Sequence, residues 1–212
     1  DRFSALKRLA DSNPDIFSVI FCRTKRDTQQ VAEQLIENGY NAAALHGDLS
    51  QAQRDAVMKS FRGRQIQMLV ATDVAARGID VDDVTHVINY QLPDEVETYT
   101  HRSGRTGRAG KTGTSMIIIT KSEIRKIGQI ERIMKNKFIE KAIPSGSEIC
   151  ETQLIHLANK IKSVEIDSEI DQYLPAINEV LADLSKEDVV KKLVSLEFNR
   201  FISYYKNSRD LT

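Results

Sequence analysis

Along residues 1–148, short runs of β-branched and other apolar residues alternate with helical patterns. That alternation restricts the fold more than any other feature of the sequence. The runs are Phe17–Phe21, Ala42–Leu45, Met68–Ala71, Val84–Asn89 and Ser115–Thr120, each bounded by turn residues. Between them, Thr28–Asn38 carries Val31, Ala32, Leu35 and Ile36 at helical spacing and stops at Gly39. Ser50–Phe61 opens on Ser50 with Gln53 three residues on, the spacing of a capping box. Asp94–Ser103 and Lys121–Asn136 complete the helical set. Strands separated by helices of this length imply βαβ units. The expected class is α/β, a mainly parallel sheet with right-handed crossovers and helices on both faces. The loops after the strands' carboxyl ends then form the working edge.

The texture changes near Pro144-Ser145-Gly146. After Gly146 there is no glycine and one proline, Pro175. Apolar residues recur at three- and four-residue spacing, and Ser185 with Asp188 caps the last run. The pattern predicts three helices, 148–163, 168–183 and 186–205, and hence two domains, residues 1–147 and 148–212. A three-helix piece of this size sits near the lower limit for an independent core. It calls for another surface, either the first domain or a second copy of itself.

Charge excludes little by itself, since 30 bases balance 30 acids. Local clustering carries the information. Between Tyr99 and Gly113 stand Arg102, Arg105, Arg108 and Lys111, with no acid and with four of the chain's ten glycines. Arginine stays charged and pairs bidentately with phosphate oxygens. His101-Arg102-Ser103-Gly104-Arg105-Thr106-Gly107-Arg108 therefore reads as an arginine cluster for a transferring phosphoryl group. The competing reading is a solvated basic helix end. Ala71-Thr72-Asp73-Val74-Ala75-Ala76-Arg77-Gly78-Ile79-Asp80 follows a strand and offers backbone N–H groups to phosphate and Asp80 to a sugar hydroxyl. Here helix capping by Thr72 or Asp73, with Arg77 paired to an acid, competes evenly. His46-Gly47-Asp48 also sits at a predicted strand end, where Gly47 allows close backbone approach and a tight turn with an N-cap competes evenly. Cys22-Arg23-Thr24-Lys25-Arg26 puts a hydroxyl between three bases at a strand end, which suits a phosphate contact, with an exposed loop as the competing reading. Two cysteines, Cys22 and Cys150, make neither a disulfide framework nor a metal site, and no metal-ligand spacing is visible. Cys22 reads as a buried, inert thiol. No apolar run is long enough to span a membrane, and a reducing, cytoplasmic setting follows as the default.

In this order the four motifs, Ile20-Phe21-Cys22-Arg23-Thr24-Lys25, His46-Gly47-Asp48-Leu49-Ser50-Gln51, Ala71 to Asp80 and His101 to Arg108, resemble the second RecA-like domain of the DEAD-box RNA helicases. The resemblance implies that Arg105 and Arg108 are arginine fingers on the ATP γ-phosphate. It places Asp80 at the ribose, with Gly78 beside it. It makes His101 and Arg102 couplers of the nucleotide and RNA sites. It sets Thr24, Gly47, Asp48, Thr72 and Gly78 along the RNA sugar–phosphate track. Ser103 stands where many members carry an apolar residue. The chain has no G-x-x-x-x-G-K-[ST] loop and no Asp-Glu-Ala-Asp. The resemblance thus implies that ATP with Mg²⁺ is completed by the N-terminal RecA-like domain of the same protein, and that this chain alone does not turn over ATP. The tail is similar to the dimerising region of bacterial cold-shock-type DEAD-box helicases, which implies a homodimer. A DNA-translocating helicase of the same superfamily and a non-catalytic assembly module are the rival readings.

Overall fold

Five parallel strands form the sheet that positions everything else. They are β1 (Ser18–Phe21), β2 (Ala42–Leu45), β3 (Met68–Ala71), β4 (His86–Asn89) and β5 (Thr114–Ile117), in the spatial order β2-β3-β1-β4-β5. In this computed structural model, residues 2–108, 110–206 and 211 are described. Phe21 pairs in register with Ala71 and Asn89, Leu45 with Ala71, and Asn89 with Ile117. All five carboxyl ends therefore reach one edge. β1 and β3 are buried along their whole length, which is why they read as near-continuous apolar runs, broken only by Ser18, rather than alternating ones.

The helices begin where side chains satisfy their free N–H groups. The Thr24 hydroxyl accepts from the Asp27 amide and starts α2 (Lys25–Glu37), whose Val31, Ala32 and Leu35 are buried. Ser50 and Gln53 form the expected reciprocal box at the start of α3 (Gln51–Arg62). A four-residue helix, α4 (Asp73–Ala76), follows β3, and α5 (Val96–Ser103) follows β4. Val19, Phe21, Leu69, Ala71 and Val87 point to one face and pack with Phe61, Val57 and Met58 of α3. β5 runs through a short 3₁₀ turn, Lys121–Glu123, into α6 (Ile124–Met134), which packs Ile127, Ile130 and Met134 against Leu92, Tyr99 and Ile117. One element has no counterpart in the sequence reading. It is α1 (Arg2–Asp11), which buries Ala5, Leu6 and Ala10.

The chain divides into two compact units, Asp1–Ala10 with Asp15–Lys141, and Asp11–Pro14 with Ala142–Thr212. In the second, α7 (Gly146–Ser163) and α9 (Lys186–Lys206) pack together. Gly146 eases that packing, because a Cβ on it would lie 3.0 Å from the Tyr205 carbonyl oxygen, tighter than ordinary contact. The Tyr205 hydroxyl donates to the Asp11 carboxylate, and the Gln153 amide donates to the Asp11 carbonyl at 2.6 Å. Ser185 caps α9 through the Asp188 amide, as its spacing predicts. The middle helix differs from the expected 168–183. It splits into a 3₁₀ turn, Ser168–Gln172, and a short α8 (Leu174–Val180), because Pro175 sits in the first turn and restarts the helix there. Much of this unit's apolar surface stays uncovered, including Ile161, Ile170, Leu174, Ile177 and Leu193.

Candidate functional site

The parallel register brings the loops after β1, β2 and β3 to one edge, and with them Thr24, Gly47, Asp48 and Thr72. Their side chains are already at work. Thr24 and Thr72 cap α2 and α4, with Thr72 accepting from the Ala75 amide at 3.4 Å. The capping reading is thus correct for Thr72, but Asp73 does something else. Asp48 receives Lys25 Nζ at 2.9 Å, and this hydrogen bond holds its carboxyl below the usual carboxylate range. Gly47 is exposed, and a Cβ on it would meet nothing within 4 Å. Gly78 lies beyond α4 with φ +80°, a conformation that glycine adopts freely. Arg77 is exposed with no ion-pair partner among the described residues, so the reading that it pairs with an acid fails.

The arginine cluster separates into two environments. α5 ends at Ser103, so only Arg102 is helical; Arg105 and Arg108 lie in the loop before β5. The absence of acids in that segment does not leave the arginines without acidic partners, because aspartates arrive from other loops. Arg102 is 2% exposed. Its Nε and Nη2 donate to the two oxygens of Asp73 at 2.6 and 2.7 Å, and its Nη1 donates to Asn89 Oδ1 at 2.9 Å and to the Gln91 carbonyl at 3.0 Å. The guanidinium also lies over the Phe21 ring, 5.0 Å from its centre. A buried charge persists only with this kind of pairing. Arg102 therefore ties α5 to the start of α4 and to the end of β4. His101, one residue earlier, is exposed.

Arg105 and Arg108 are held more lightly. Arg105 Nη1 donates to the Ile79 carbonyl at 2.8 Å. Arg108 Nε donates to the Gly104 carbonyl at 2.9 Å, and its Nη1 pairs with the Asp80 carboxylate. Burial, with Arg108 close by, lowers the Arg105 pKa against the opposing pull of Asp80. Three of the residues singled out from the sequence, Asp80, Arg105 and Arg108, thus meet in space. The loop folds on itself around Gly107 and Gly110, both at positive φ. Thr106 Oγ1 donates to the Val84 carbonyl, and a Cβ on Gly113 would lie 2.1 Å from that hydroxyl and 2.5 Å from the Gly107 nitrogen. Lys111 pairs with Asp83, which also receives Arg64 at 3.3 Å. The cavity that Arg64, Asp83, Arg105 and Lys111 line holds about 150 Å³. That is well below the roughly 300–1,000 Å³ of a small-molecule pocket.

Sequence reasoning missed Asn89, Gln91, Asp83 and the partnership of Asp73. A signal existed for one of them: Asn89 is polar in the otherwise apolar run Val87-Ile88-Asn89 and is fully buried. Cys22 matches its reading, since burial and the nearby Asp27 carboxylate push its thiol up to about 12. Among the described residues no three His, Cys, Asp or Glu side chains gather as a metal cage, and no helix is long and apolar enough to cross a membrane.

Residues 1–110 match the family described as "Helicase conserved C-terminal domain", and residues 149–206 match "Probable ATP-dependent RNA helicase, helical domain". The DEAD-box ATP-dependent RNA helicase CshA of Geobacillus kaustophilus is 41% identical over 189 residues, 89% of this chain and 40% of that protein. The chain thus spans about two fifths of the length of the curated relatives it matches. Among solved structures, a DEAD box protein from Methanococcus jannaschii is 51% identical with a TM-score of 0.60, covering 64% of this chain and 37% of that one. Saccharomyces cerevisiae Dbp5, solved with RNA and ADP BeF3, is 33% identical with a TM-score of 0.60, covering 66% of this chain and 37% of that one. With its first 110 residues matched and its sheet shared with these proteins, the chain belongs to the helicase conserved C-terminal domain family, in the form carried by DEAD-box RNA helicases.

Proposed function

We propose that residues 1–147 are the second RecA-like domain of an ATP-dependent RNA helicase, supplying the arginine-finger half of its ATPase site and half of its RNA clamp. The observation that carries this reading is the loop after α5. There Arg105 and Arg108 stand beside Asp80, tethered among the described residues by carbonyls and by a largely exposed carboxylate that phosphate oxygens can replace. Two guanidinium groups suit the charge that spreads over a transferring phosphoryl group. Asp80, released from Arg108, is then free to accept from a ribose hydroxyl. Bound ATP would supply the phosphoryl group whose transfer to water resets the clamp. The phosphate loop and the Mg²⁺ ligands would come from the N-terminal RecA-like domain of the same protein, since this chain has no such loop.

RNA lies along the sheet edge, over Thr24, Gly47, Asp48, Thr72 and Gly78. Contacts there are to phosphate and 2′-hydroxyl groups and carry no sequence preference. The Asp73–Arg102 pair joins the Thr72 loop to the helix that leads into the arginine loop, which supports the coupling role of Arg102 and its neighbour His101. Free thiols at Cys22 and Cys150 suit a reducing cytoplasm. Residues 148–212 form a homodimer with two-fold symmetry through the uncovered apolar side chains of α7, α8 and α9, because exposed stripes of that extent mark interfaces.

The decisive experiment is an ATPase assay on the intact gene product with RNA, with DNA and with neither. RNA-selective stimulation is expected, and equal stimulation by DNA would favour a DNA translocase. The 212-residue chain alone should show no turnover and should bind RNA weakly, with a log–log salt slope of roughly −2 to −4. Sedimentation equilibrium should give a dimer that becomes a monomer on deletion of residues 149–212. A one-chain mass before deletion would remove the dimer.

A further inference from the structure

The positive charge of the first domain is concentrated in the segment around α6. Residues 121–141 hold seven bases and three acids, net +4. Residues 1–148 hold 22 bases and 19 acids, so the rest of that stretch holds 15 and 16. Two of the three acids are engaged internally. Glu123 accepts from the Thr120 amide at 2.9 Å and pairs with Arg2, and Glu131 accepts from the Phe138 amide at 2.8 Å. All seven bases are exposed, and none of their side chains has an ion-pair or hydrogen-bond partner among the described residues.

Helix geometry turns this charge into a face. Ile127, Ile130 and Met134 point inward. At about 3.6 residues per turn, Arg125, Gly128, Gln129 and Arg132 then point outward. Gly128 is the second, independent observation. It is exposed, its φ is not positive, and a Cβ on it would meet nothing within 4 Å. Nothing among the described residues requires glycine at a place where every residue but proline is better tolerated. What glycine provides is bare backbone between two arginines, which lets a bulky partner come close. The location matters too. α6 begins just past the carboxyl end of β5, on the edge that carries Thr24, Asp48 and Thr72. With strands about 4.8 Å apart, the β5 end lies roughly 19 Å along that edge from the β2 end.

We propose that the outward face of α6, Arg125, Gly128 and Arg132 with Lys121 and Lys126 at its strand-edge end, is a second RNA-backbone contact. It takes phosphates of the same RNA beyond the strand-edge track, and the inference rests on the reading that RNA lies along that edge. Each arginine fork pairs with phosphate oxygens, and the face adds affinity without sequence preference.

The test uses the 212-residue chain and a fluorescent 20-nucleotide oligo-uridine, titrated across a salt series. Arg125→Glu/Arg132→Glu should weaken binding at least tenfold at low salt. It should also make the log–log salt slope shallower by about 1.4, two phosphates at about 0.7 each on a single strand. The thermal midpoint should not change. Gly128→Gln should raise the thermal midpoint yet weaken RNA binding severalfold, a pairing that a purely structural role cannot produce. Wild-type binding retained in both variants, with the same slope, overturns the inference and leaves the strand-edge reading intact. No RNA binding by the wild-type chain at low salt overturns both. Loss of self-association in the variants in place of RNA affinity assigns the face to a protein partner, and that also overturns the inference.

Discussion

Arg102 and the pair Arg105–Arg108 share one spacing in the sequence and belong to opposite kinds of structure. Arg102 is sealed at the end of α5, with its guanidinium spread over Asp73, Asn89 and Gln91. Arg105 and Arg108, three and six residues on, reach out of a glycine-bounded loop and hold one or two acceptors each. The difference is set by where the helix stops. Gly104 caps α5, and Gly107 and Gly110 at positive φ carry the chain away from the helical path. A buried arginine bonded through all three of its nitrogens is a fixed strut. A half-exposed arginine with replaceable partners is available to a ligand.

The largest effect that sharpens this contrast is on catalysis. In the intact enzyme, Arg105→Ala or Arg108→Ala should reduce ATP hydrolysis by about 10³-fold while leaving RNA affinity within a few fold. Single-turnover and steady-state assays measure it, and a loss under about tenfold in both variants would break the assignment. On stability the order reverses. Arg102→Ala strands the buried Asn89 amide oxygen and leaves the part-exposed Asp73 carboxylate unpaired, so denaturant unfolding should show a loss of about 2–3 kcal/mol. Arg108→Ala, whose partner Asp80 is largely exposed, should cost less than about 1 kcal/mol. Equal costs would mean the two environments are not distinct.

Gly113→Ala tests whether the loop is preformed. The added methyl collides with Thr106 and with the Gly107 backbone, so a loss of roughly 1–3 kcal/mol is expected. The intact enzyme should show a fall in kcat larger than any change in KM for ATP. A variant as stable and as active as wild type would show that the loop is not fixed by this packing. The smallest effect is a pH dependence away from the arginines. Burial lowers the His86 pKa, so the unfolded chain binds more protons than the folded one below its unperturbed value near 6.5. Stability should therefore fall as pH drops through that value, and His86→Gln should flatten the dependence in thermal melts between pH 7 and 5. An unchanged profile would remove His86 from the account.

Much of the first domain was legible because its signals are local. Ala42–Leu45 and Met68–Ala71 are strands over the predicted residues, and Ser50 with Gln53 closes the box its spacing announces. Where the reading missed, either the local signal was weak or overridden, or the deciding partner lay far along the chain. α1 escaped notice because its buried face, Ala5, Leu6 and Ala10, is short and mixed with charge. The tail's middle helix broke because one proline reset its start. The arginine segment itself holds no acid, and its acidic partners stand 28 or 29 residues earlier in the sequence, beyond the reach of any local signal.

The sequence by itself determined the α/β alternation, the helix starts, the glycine-rich arginine loop and the family. Each of these rests on neighbours within a turn or a strand, which backbone propensity and hydrogen bonding fix locally. Only the tertiary structure decided which arginine is strut and which is free, that Asp80 faces Arg108, and that α6 turns two arginines and a bare glycine outward. Those outcomes depend on parallel strand register and on which helix face the core consumes. Both are settled by burial across the whole domain, because desolvating a charge is tolerated only where distant residues arrive to pair it.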